Sequence, residues 1–206
     1  MKVLIACEYS GRVRDAFKAK GHFAMSCDFH DTEVPGEHYQ GDVRDVLSSD
    51  WDLMVAHPEC TYLCNSGVCH LHKDAKRWLK LFDSAEFFRM LLNSGIEKTA
   101  VENPVMHKYG KQLIGQQQSQ IIHPHMFGHM EQKQTCLWLK GLPSLVSTNN
   151  VKEEMMKLPN NERQRLHYLP PSPDRWKERS RTYQGIADAM AKQWSNGQSD
   201  LLESIQ

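Results

Sequence analysis

The sequence has no long hydrophobic run and no excess of charge of either sign. Its 206 residues contain 25 Lys and Arg against 25 Asp and Glu, so the formal net charge is zero. A membrane span needs about 18 consecutive apolar residues, and the apolar start "KVLIAC" is too short for a span or for a cleaved secretory signal. We therefore expect a cytoplasmic protein with no membrane partner. A neutral chain would bind nucleic acid only through a local concentration of cations.

Internal repeats and low-complexity tracts are also lacking. The hydrophobic content of 40% and the charged content of 24% are typical of a soluble globular protein. A chain of this length predicts one domain with a core of its own.

Charge is uneven in one place, the polar and proline-broken segment 147–181. Between positions 163 and 181, six cations stand against two acids: Arg163, Arg165, Arg175, Lys177, Arg179 and Arg181 against Asp174 and Glu178. We predict a core made of residues 1–146 and 182–196, a short basic insertion at 147–181, and a flexible tail at 197–206. Phosphate contacts and an ordinary charged loop are both open interpretations of the insertion.

The stretch "VAHPECTYLCNSGVCHLHKD", residues 55–74, holds three of the six cysteines. A disulfide is disfavoured in a reducing compartment. A zinc site would have to use His57, Cys60, Cys64, Cys69, His70 and His72, but their spacing is irregular and no second cysteine pair follows at finger distance. The pattern therefore favours a nucleophile at the end of a strand, with no metal bound. His123, His125 and His129 are predicted to be surface or supporting residues.

Strand patterns alternate with helix patterns along the chain, which predicts an α/β fold with a mostly parallel sheet and helices on both faces. In such sheets ligands bind beyond the carboxyl ends of the strands. Polar residues gather at five of these ends: Glu8 to Gly11, Asp28, Asp42, Pro58 to Cys60, and Glu102 to Pro104. We expect the five ends to face one crevice.

In this order, the motifs "LIACEYSGR", "GDV", "HPECT" and "AVENP" resemble those of the cytosine-5 DNA methyltransferases, above all small phage-associated ones with an abbreviated target-recognition region. The resemblance covers roughly residues 2–194. It implies the Rossmann-like class I methyltransferase fold, S-adenosyl-L-methionine as cofactor, and the cytoplasm of a bacterial host if the protein is phage-derived. It also implies DNA as partner, as a duplex with base flipping or as a single strand.

The resemblance assigns roles to individual residues. Those expected to bind the cofactor are Glu8, Tyr9, Ser10, Gly11, Asp28, Asp42 and Val43. Those expected at the reaction centre are Cys60 as nucleophile, Glu102, Asn103 and Pro58. Those expected to bind substrate are Lys133, Thr135, Arg175, Trp176, Arg179 and Arg181.

Elementary chemistry explains why such an enzyme needs a cysteine and an acid. A thiolate can add to carbon 6 of cytosine and later leave, and a carboxyl group at ring nitrogen 3 drains the developing negative charge. Cys60 would need a lowered pKa. Glu59, where the family usually has proline, should raise that pKa or else contact substrate.

Two other hypotheses therefore remain open. One is a catalytically weak or inactive methyltransferase-like protein that binds nucleic acid or a partner. The other is an enzyme acting on RNA or nucleotides. A homodimer or a partner protein could complete target recognition.

Overall fold

A computed structural model describes residues 1–195 of the chain. The tail predicted at 197–206 and the last residue of the predicted core, position 196, lie outside the described residues.

One sheet organises the described chain. Its strands are β1 (Lys2–Ala6), β2 (Phe23–Asp28), β3 (His38–Gln40), β4 (Leu53–Ala56), β5 (Lys98–Pro104), β6 (Gln120–Ile122) and β7 (Thr135–Lys140), in the order β3-β2-β1-β4-β5-β7-β6. Strands β1 to β5 are parallel, and β7 runs antiparallel to both β5 and β6. From β1 to β3 the strands are added on one side of β1, and from β4 onwards they are added on its other side. This switch in strand order between β1 and β4 places a ligand crevice at their carboxyl ends.

Helices cover both faces of this sheet. In chain order they are α1 (Arg12–Lys18), α2 (Arg44–Leu47), α3 (Lys76–Leu92), α4 (Lys108–Ile114), α5 (Lys152–Met156), α6 (Asn160–Arg163), α7 (Arg165–Tyr168), α8 (Arg175–Ser180) and α9 (Gln184–Ser195). The predicted fold class, an α/β protein with the Rossmann-like class I methyltransferase fold, is confirmed. None of the helices within residues 1–195 is long and apolar enough to cross a membrane.

The buried strand β1 shows why the sheet needs a helical layer on each side. Residues 3–6 are all 0% exposed. Val3 and Ile5 pack with α1 and α9, whereas Leu4 and Ala6 pack with α3 on the other face. Alternate side chains of a strand point to opposite faces, so a continuous apolar run is stable only if both faces are covered.

The basic insertion is more closely joined to the core than its polar sequence suggests. Met155 and Leu166 are buried, and Leu166 belongs to the same cluster as Ile186 of α9. The Tyr9 hydroxyl also donates to the Lys177 carbonyl at 2.7 Å. A few apolar side chains therefore anchor residues 147–181 to the core.

Arg14 of α1 is fully buried and connects the loop between β2 and β3 to the sheet. Its guanidinium donates to the Asp15 carboxylate at 2.8 Å, to the Ser26 hydroxyl at 3.2 Å and to the Val34 carbonyl at 3.0 Å. Nothing in the sequence pattern indicated this role. A buried charge is tolerated because several acceptors surround it.

Replacing Arg14 by Gln should lower the free energy of unfolding by about 3 kcal/mol, because charge-assisted hydrogen bonds are lost and their acceptors stay buried. Urea denaturation followed by circular dichroism measures this change. Arg89→Gln is the matched control. Arg89 forms an exposed ion pair with Glu86 on α3, so its loss should cost less than about 0.5 kcal/mol. Equal midpoints for Arg14→Gln and the parent would contradict the assignment.

Candidate active site

A cleft of about 1580 Å³ opens at the carboxyl ends of β1, β2, β4 and β5. One half, here called the acidic half, is lined by the ends of β1 and β2, residues 41–44 and part of α3. The other, here called the reactive half, is lined by residues 57–67, the end of β5, residues 131–134 and the basic insertion. The predicted strand ends thus meet in one crevice.

The loop after β1 is held together by Glu8. Its buried carboxylate accepts from the Ser10 hydroxyl at 3.1 Å and from the backbone N–H groups of Val13 at 2.8 Å and Arg14 at 3.2 Å. These are N–H groups at the start of α1, which have no partner within the helix. Glu8, Tyr9 and Ser10 all line the cleft, but the carboxylate of Glu8 is occupied in shaping the loop.

Gly11 does not line the cleft, which corrects its expected contact with the cofactor. Its φ is +72°, and a Cβ there would lie 2.6 Å from Arg14 Nη2 and from Val34 Cγ2. The glycine is needed for backbone geometry and for space beside Arg14.

Cys7 takes a left-handed conformation, φ 58°, at the end of β1 and lines the cleft. This conformation is uncommon for a residue other than glycine. Nothing in the sequence pattern indicated this conformation. Burial, followed by the nearby Asp28 charge, raises the pKa of Cys7, so this thiol stays protonated.

Asp28 and Asp42 give the acidic half its charge. Asp28 Oδ1 accepts the His30 N–H at 2.9 Å, while Oδ2 accepts no hydrogen bond from any described residue. Asp42 accepts the Arg44 N–H at 3.0 Å and pairs with the Arg44 guanidinium at 2.8 Å. The backbone hydrogen bond from Arg44 is the main reason that the pKa of Asp42 is lowered.

These groups fit a cation that carries hydroxyl groups. Asp28 can accept from hydroxyls through Oδ2, and the carboxylates favour a positive charge. Val43 is 4% exposed, and it lines the cleft together with Phe87 and Asp83, two residues of α3 that the sequence analysis did not identify. The Arg44 guanidinium lies over the Phe87 ring, with Cζ 5.2 Å from the centroid.

In the reactive half, Cys60 begins a tight turn after β4. Its carbonyl accepts from the N–H groups of Leu63 and Cys64, both at 3.0 Å. This single helical turn brings the Cys64 side chain against that of Cys60, and both thiols line the cleft. A Cβ on Gly67 would lie 2.4 Å from the Thr61 carbonyl oxygen, so the turn closes tightly.

The pKa values of the two thiols are shifted in opposite directions. The hydrogen bond with Cys64, burial and the Glu102 charge raise the pKa of Cys60. The hydrogen bond from Cys60 lowers the pKa of Cys64 despite its burial, and hydrogen bonds from Ser66 and the Gly67 backbone add to this effect. The expectation of a lowered pKa at Cys60 is therefore corrected: the pKa of Cys60 is raised, and that of its neighbour Cys64 is lowered.

Glu102 lies beside His57 because of strand register. Ala56 pairs with Val101 across β4 and β5, so the next residue of each strand comes alongside the other. His57 Nδ1 lies 3.4 Å from Glu102 Oε2. Burial acts to raise the pKa of Glu102, but the hydrogen bond from His57 and the positive charge of Lys133 outweigh it, and the pKa is lowered overall.

Two other residues expected near Glu102 do not reach the cleft. Asn103 is fully buried, with Nδ2 donating to the Pro104 carbonyl at 2.6 Å, because successive residues of β5 point to opposite faces. Thr135 is buried at the start of β7 and does not line the cleft. Pro58 and Lys133 do line it, and Lys133 Nζ donates to the Arg179 carbonyl at 3.3 Å.

Only some of the predicted substrate-binding residues of the basic insertion line the cleft. Arg175 and Arg179 line the cleft. Arg181 instead pairs with Glu33 and Glu178 beside a smaller pocket, which corrects its expected role in binding substrate. Trp176 packs against residues of the acidic half, with ring centroids 5.2 Å from Tyr9 and 4.5 Å from His30. The indole therefore contacts Tyr9, which was expected to bind the cofactor.

Glu59 is exposed and lines the cleft beside the reactive thiol.

All six cysteines are free. Within residues 1–195, no group of three or more His, Cys, Asp or Glu side chains is arranged to hold a metal ion. The His123 and His125 rings stack with their centroids 4.9 Å apart, and His129 Nε2 accepts the Gly185 N–H at 3.0 Å.

No protein-family model matches the chain, and no curated protein does. Among solved structures, it is similar to a prophage-encoded E. coli protein provisionally described as a DNA modification methyltransferase, with 13% identity and a TM-score of 0.46. The alignment covers 78% of this chain and 56% of that one. The bifunctional kinase-methyltransferase WbdD aligns with 15% identity and a TM-score of 0.40, over 71% of this chain and 36% of its own.

The chain thus spans about half the length of the first of these proteins and about a third of the second. At such identities the likeness concerns the fold alone. The strand order and the cleft define an α/β protein with the class I methyltransferase fold, and its function has to be inferred from its own residues.

The opposite pKa shifts of the two thiols can be tested by alkylation. In Cys64→Ala, Cys60 loses its hydrogen-bond acceptor and the repulsion of a neighbouring thiolate. The pKa of Cys60 should fall, so the pH midpoint for its alkylation by iodoacetamide should move below that of the parent. Mass spectrometry of the labelled peptide measures this midpoint. Cys69→Ala, at an exposed position, should leave it unchanged. An unchanged or higher midpoint in Cys64→Ala would contradict the effect of Cys64 on Cys60.

Proposed function

We propose that the protein transfers a methyl group from S-adenosyl-L-methionine to carbon 5 of cytosine in DNA, through a covalent bond to Cys60. One observation carries the proposal. The Cys60 turn and the Glu102 carboxylate, at the ends of the neighbouring strands β4 and β5, line the same cleft as the acidic half.

The distribution of charge in the cleft supports separate binding positions for the cofactor and the substrate. The acidic half holds Glu8, Asp28, Asp42 and Asp83 against one cation, Arg44. Four cations line the reactive half, namely Arg77, Lys133, Arg175 and Arg179, against three carboxylates, Glu59, Glu102 and Glu131. A cationic cofactor suits the first half and a phosphate-bearing substrate suits the second.

When bound, the cofactor supplies an electrophilic methyl group. Cys60 Sγ forms a bond to carbon 6 of cytosine as its proton passes to solvent, and the electron pair of the 5,6 double bond becomes available at carbon 5 for that methyl group. Transfer of the carbon 5 proton to water then re-forms the double bond as the bond from carbon 6 to sulfur breaks, and the thiolate regains a proton from solvent. Cys60 thus begins and ends as a free cysteine.

Glu102 and its neighbours position the ring for this addition. The Glu102 carboxylate can accept from the exocyclic amino group and share a proton with ring nitrogen 3, which disperses the charge that develops there. His57 donates to Glu102 and holds its orientation. Lys133 contributes positive charge close to both Glu102 and Cys60. Such preorganised charges are effective because they need no rearrangement during the reaction.

A non-catalytic binding protein is the second candidate function. The raised pKa of Cys60 and the exposed Glu59 in the same turn favour it. In that case the cleft would still bind cofactor or nucleic acid, without methyl transfer. RNA and free nucleotides are further candidate substrates, because Arg175 and Arg179 provide charge but no base-specific pattern.

Labelled-methyl transfer to a panel of duplex DNA, single-stranded DNA, RNA and deoxycytidine monophosphate tests the proposal. The parent should label cytosine-containing DNA, and Cys60→Ala should lose at least about a thousandfold of that rate, because the thiol proposed to add to carbon 6 is removed. Cys69→Ala is the control for general loss of a cysteine. Methylation that survives in Cys60→Ala would refute the nucleophile, and binding without labelling of any substrate would favour the second candidate.

A further inference from the structure

One wall of the reactive half has no function so far, although it carries an arginine. Arg77 lies in the first turn of α3 and lines the cleft. Its guanidinium stacks over the Tyr62 ring, with 5.0 Å from Cζ to the centroid, and Lys80 Nζ lies 5.8 Å from the same centroid. Two cations therefore share one aromatic face.

Arg77 is one of five arginines of the described chain that have no carboxylate partner within ion-pair distance. Five others form ion pairs with acids: Arg14, Arg44, Arg89, Arg165 and Arg181. For Arg77 no ion pair is found within residues 1–195, and its buried Nε has no acceptor. A buried donor without a partner is costly, so a bound anion would stabilise this position.

The position of the guanidinium relative to the nucleophile is fixed by Gly67. A Cβ built on Gly67 would lie 3.2 Å from Arg77 Nη2 and 2.4 Å from the carbonyl oxygen of Thr61. Arg77 therefore lies against the turn that begins at Cys60. The exposed side chains of Asn65 and His70 line the cleft next to it and can add hydrogen bonds.

We propose that Arg77 binds a phosphate group of the cytosine substrate, with Lys80 adding charge from the same side. This inference rests on the proposed function, and it adds a phosphate subsite to the cations that the basic insertion provides. A guanidinium matches the geometry of phosphate oxygens with two parallel hydrogen bonds. The Tyr62 ring holds the guanidinium in place. The phosphate could belong to a nucleic-acid strand or to a free nucleotide.

The subsite changes how the substrate is held. A nucleic-acid strand would be bound by Arg77 as well as by Arg175 and Arg179, with the cytosine ring at Cys60. Phosphate contacts of this kind position a strand without selecting its sequence. The small insertion would then supply only some of the phosphate contacts.

Arg77→Gln tests the subsite, with Arg89→Gln on the same helix as the matched control. Fluorescence anisotropy with a cytosine-containing single strand is measured over a series of salt concentrations. Arg77→Gln should weaken binding roughly tenfold, equally for all sequences, and should reduce the slope of log K against log salt by about 0.7. Arg77→Lys, which keeps the charge, should restore most of the slope. Arg89→Gln should behave as the parent.

Calorimetry with deoxycytidine and deoxycytidine monophosphate distinguishes the two sources of phosphate. If Arg77→Gln weakens binding of the monophosphate but not of the nucleoside, the site accepts a free nucleotide. If only binding of the strand is weakened, the phosphate belongs to nucleic acid.

Unchanged affinity and slope in Arg77→Gln, with methyl transfer also unchanged, would overturn the subsite and leave the proposed function standing. Loss of transfer in Cys60→Ala with normal binding would leave the subsite intact. If the parent binds neither strand nor monophosphate, the subsite is overturned together with the nucleic-acid substrate.

Discussion

The active cleft depends on the parallel pairing of β4 with β5. In this register Ala56 faces Val101, so His57 stands beside Glu102, and the turn carrying Cys60 starts one strand away from the acid it needs. The pairing is buried by side chains on both faces, including Val55, Ala100 and Val101. A slip by one residue would point the Glu102 side chain to the opposite face of the sheet, where Asn103 now lies. Strand register is thus the constraint on which the chemistry rests.

Loops and side chains around the paired strands β4 and β5 complete the cleft. Glu8 and Arg14 arrange the loops beside β1 and β2 so that Asp28 and Asp42 face one side. The insertion packs onto the acidic half through Trp176, which contacts Tyr9. Cys64, burial and the Glu102 charge raise the pKa of Cys60 in the free protein. The proposed mechanism therefore requires the environment of this thiol to change when substrate binds.

Much of the fold could be predicted because its signals are local. Long apolar runs identified β1, β4 and β5, and the spacing of Leu81, Ala85 and Phe88 identified α3. The strands β3 and β6 were missed because each has only three residues and no apolar alternation. Phe82 was expected in the core but is 47% exposed, since helical periodicity locates a face only approximately.

The site was predictable to the extent that strand ends converge. Cys60, Glu102, Asp28 and Asp42 were found in this way. The sequence could not show which neighbours occupy a side chain, so the ion pairs of Arg181 and the burial of Thr135 went unforeseen. Arg77 and Cys64 were missed as functional groups for a similar reason, because their importance comes from a turn that brings distant positions together.

The central claim is that Cys60 forms a bond to the cytosine ring, and an oligonucleotide containing 5-fluorocytosine tests it most directly. Fluorine at carbon 5 cannot leave as a cation, so the last step is blocked and the bond from sulfur to carbon 6 persists. In the presence of S-adenosyl-L-methionine, denaturing mass spectrometry should show an adduct of protein, oligonucleotide and one methyl group, mapped to the peptide at Cys60. An adduct located at Cys64, or methylated oligonucleotide with no adduct, would contradict the account.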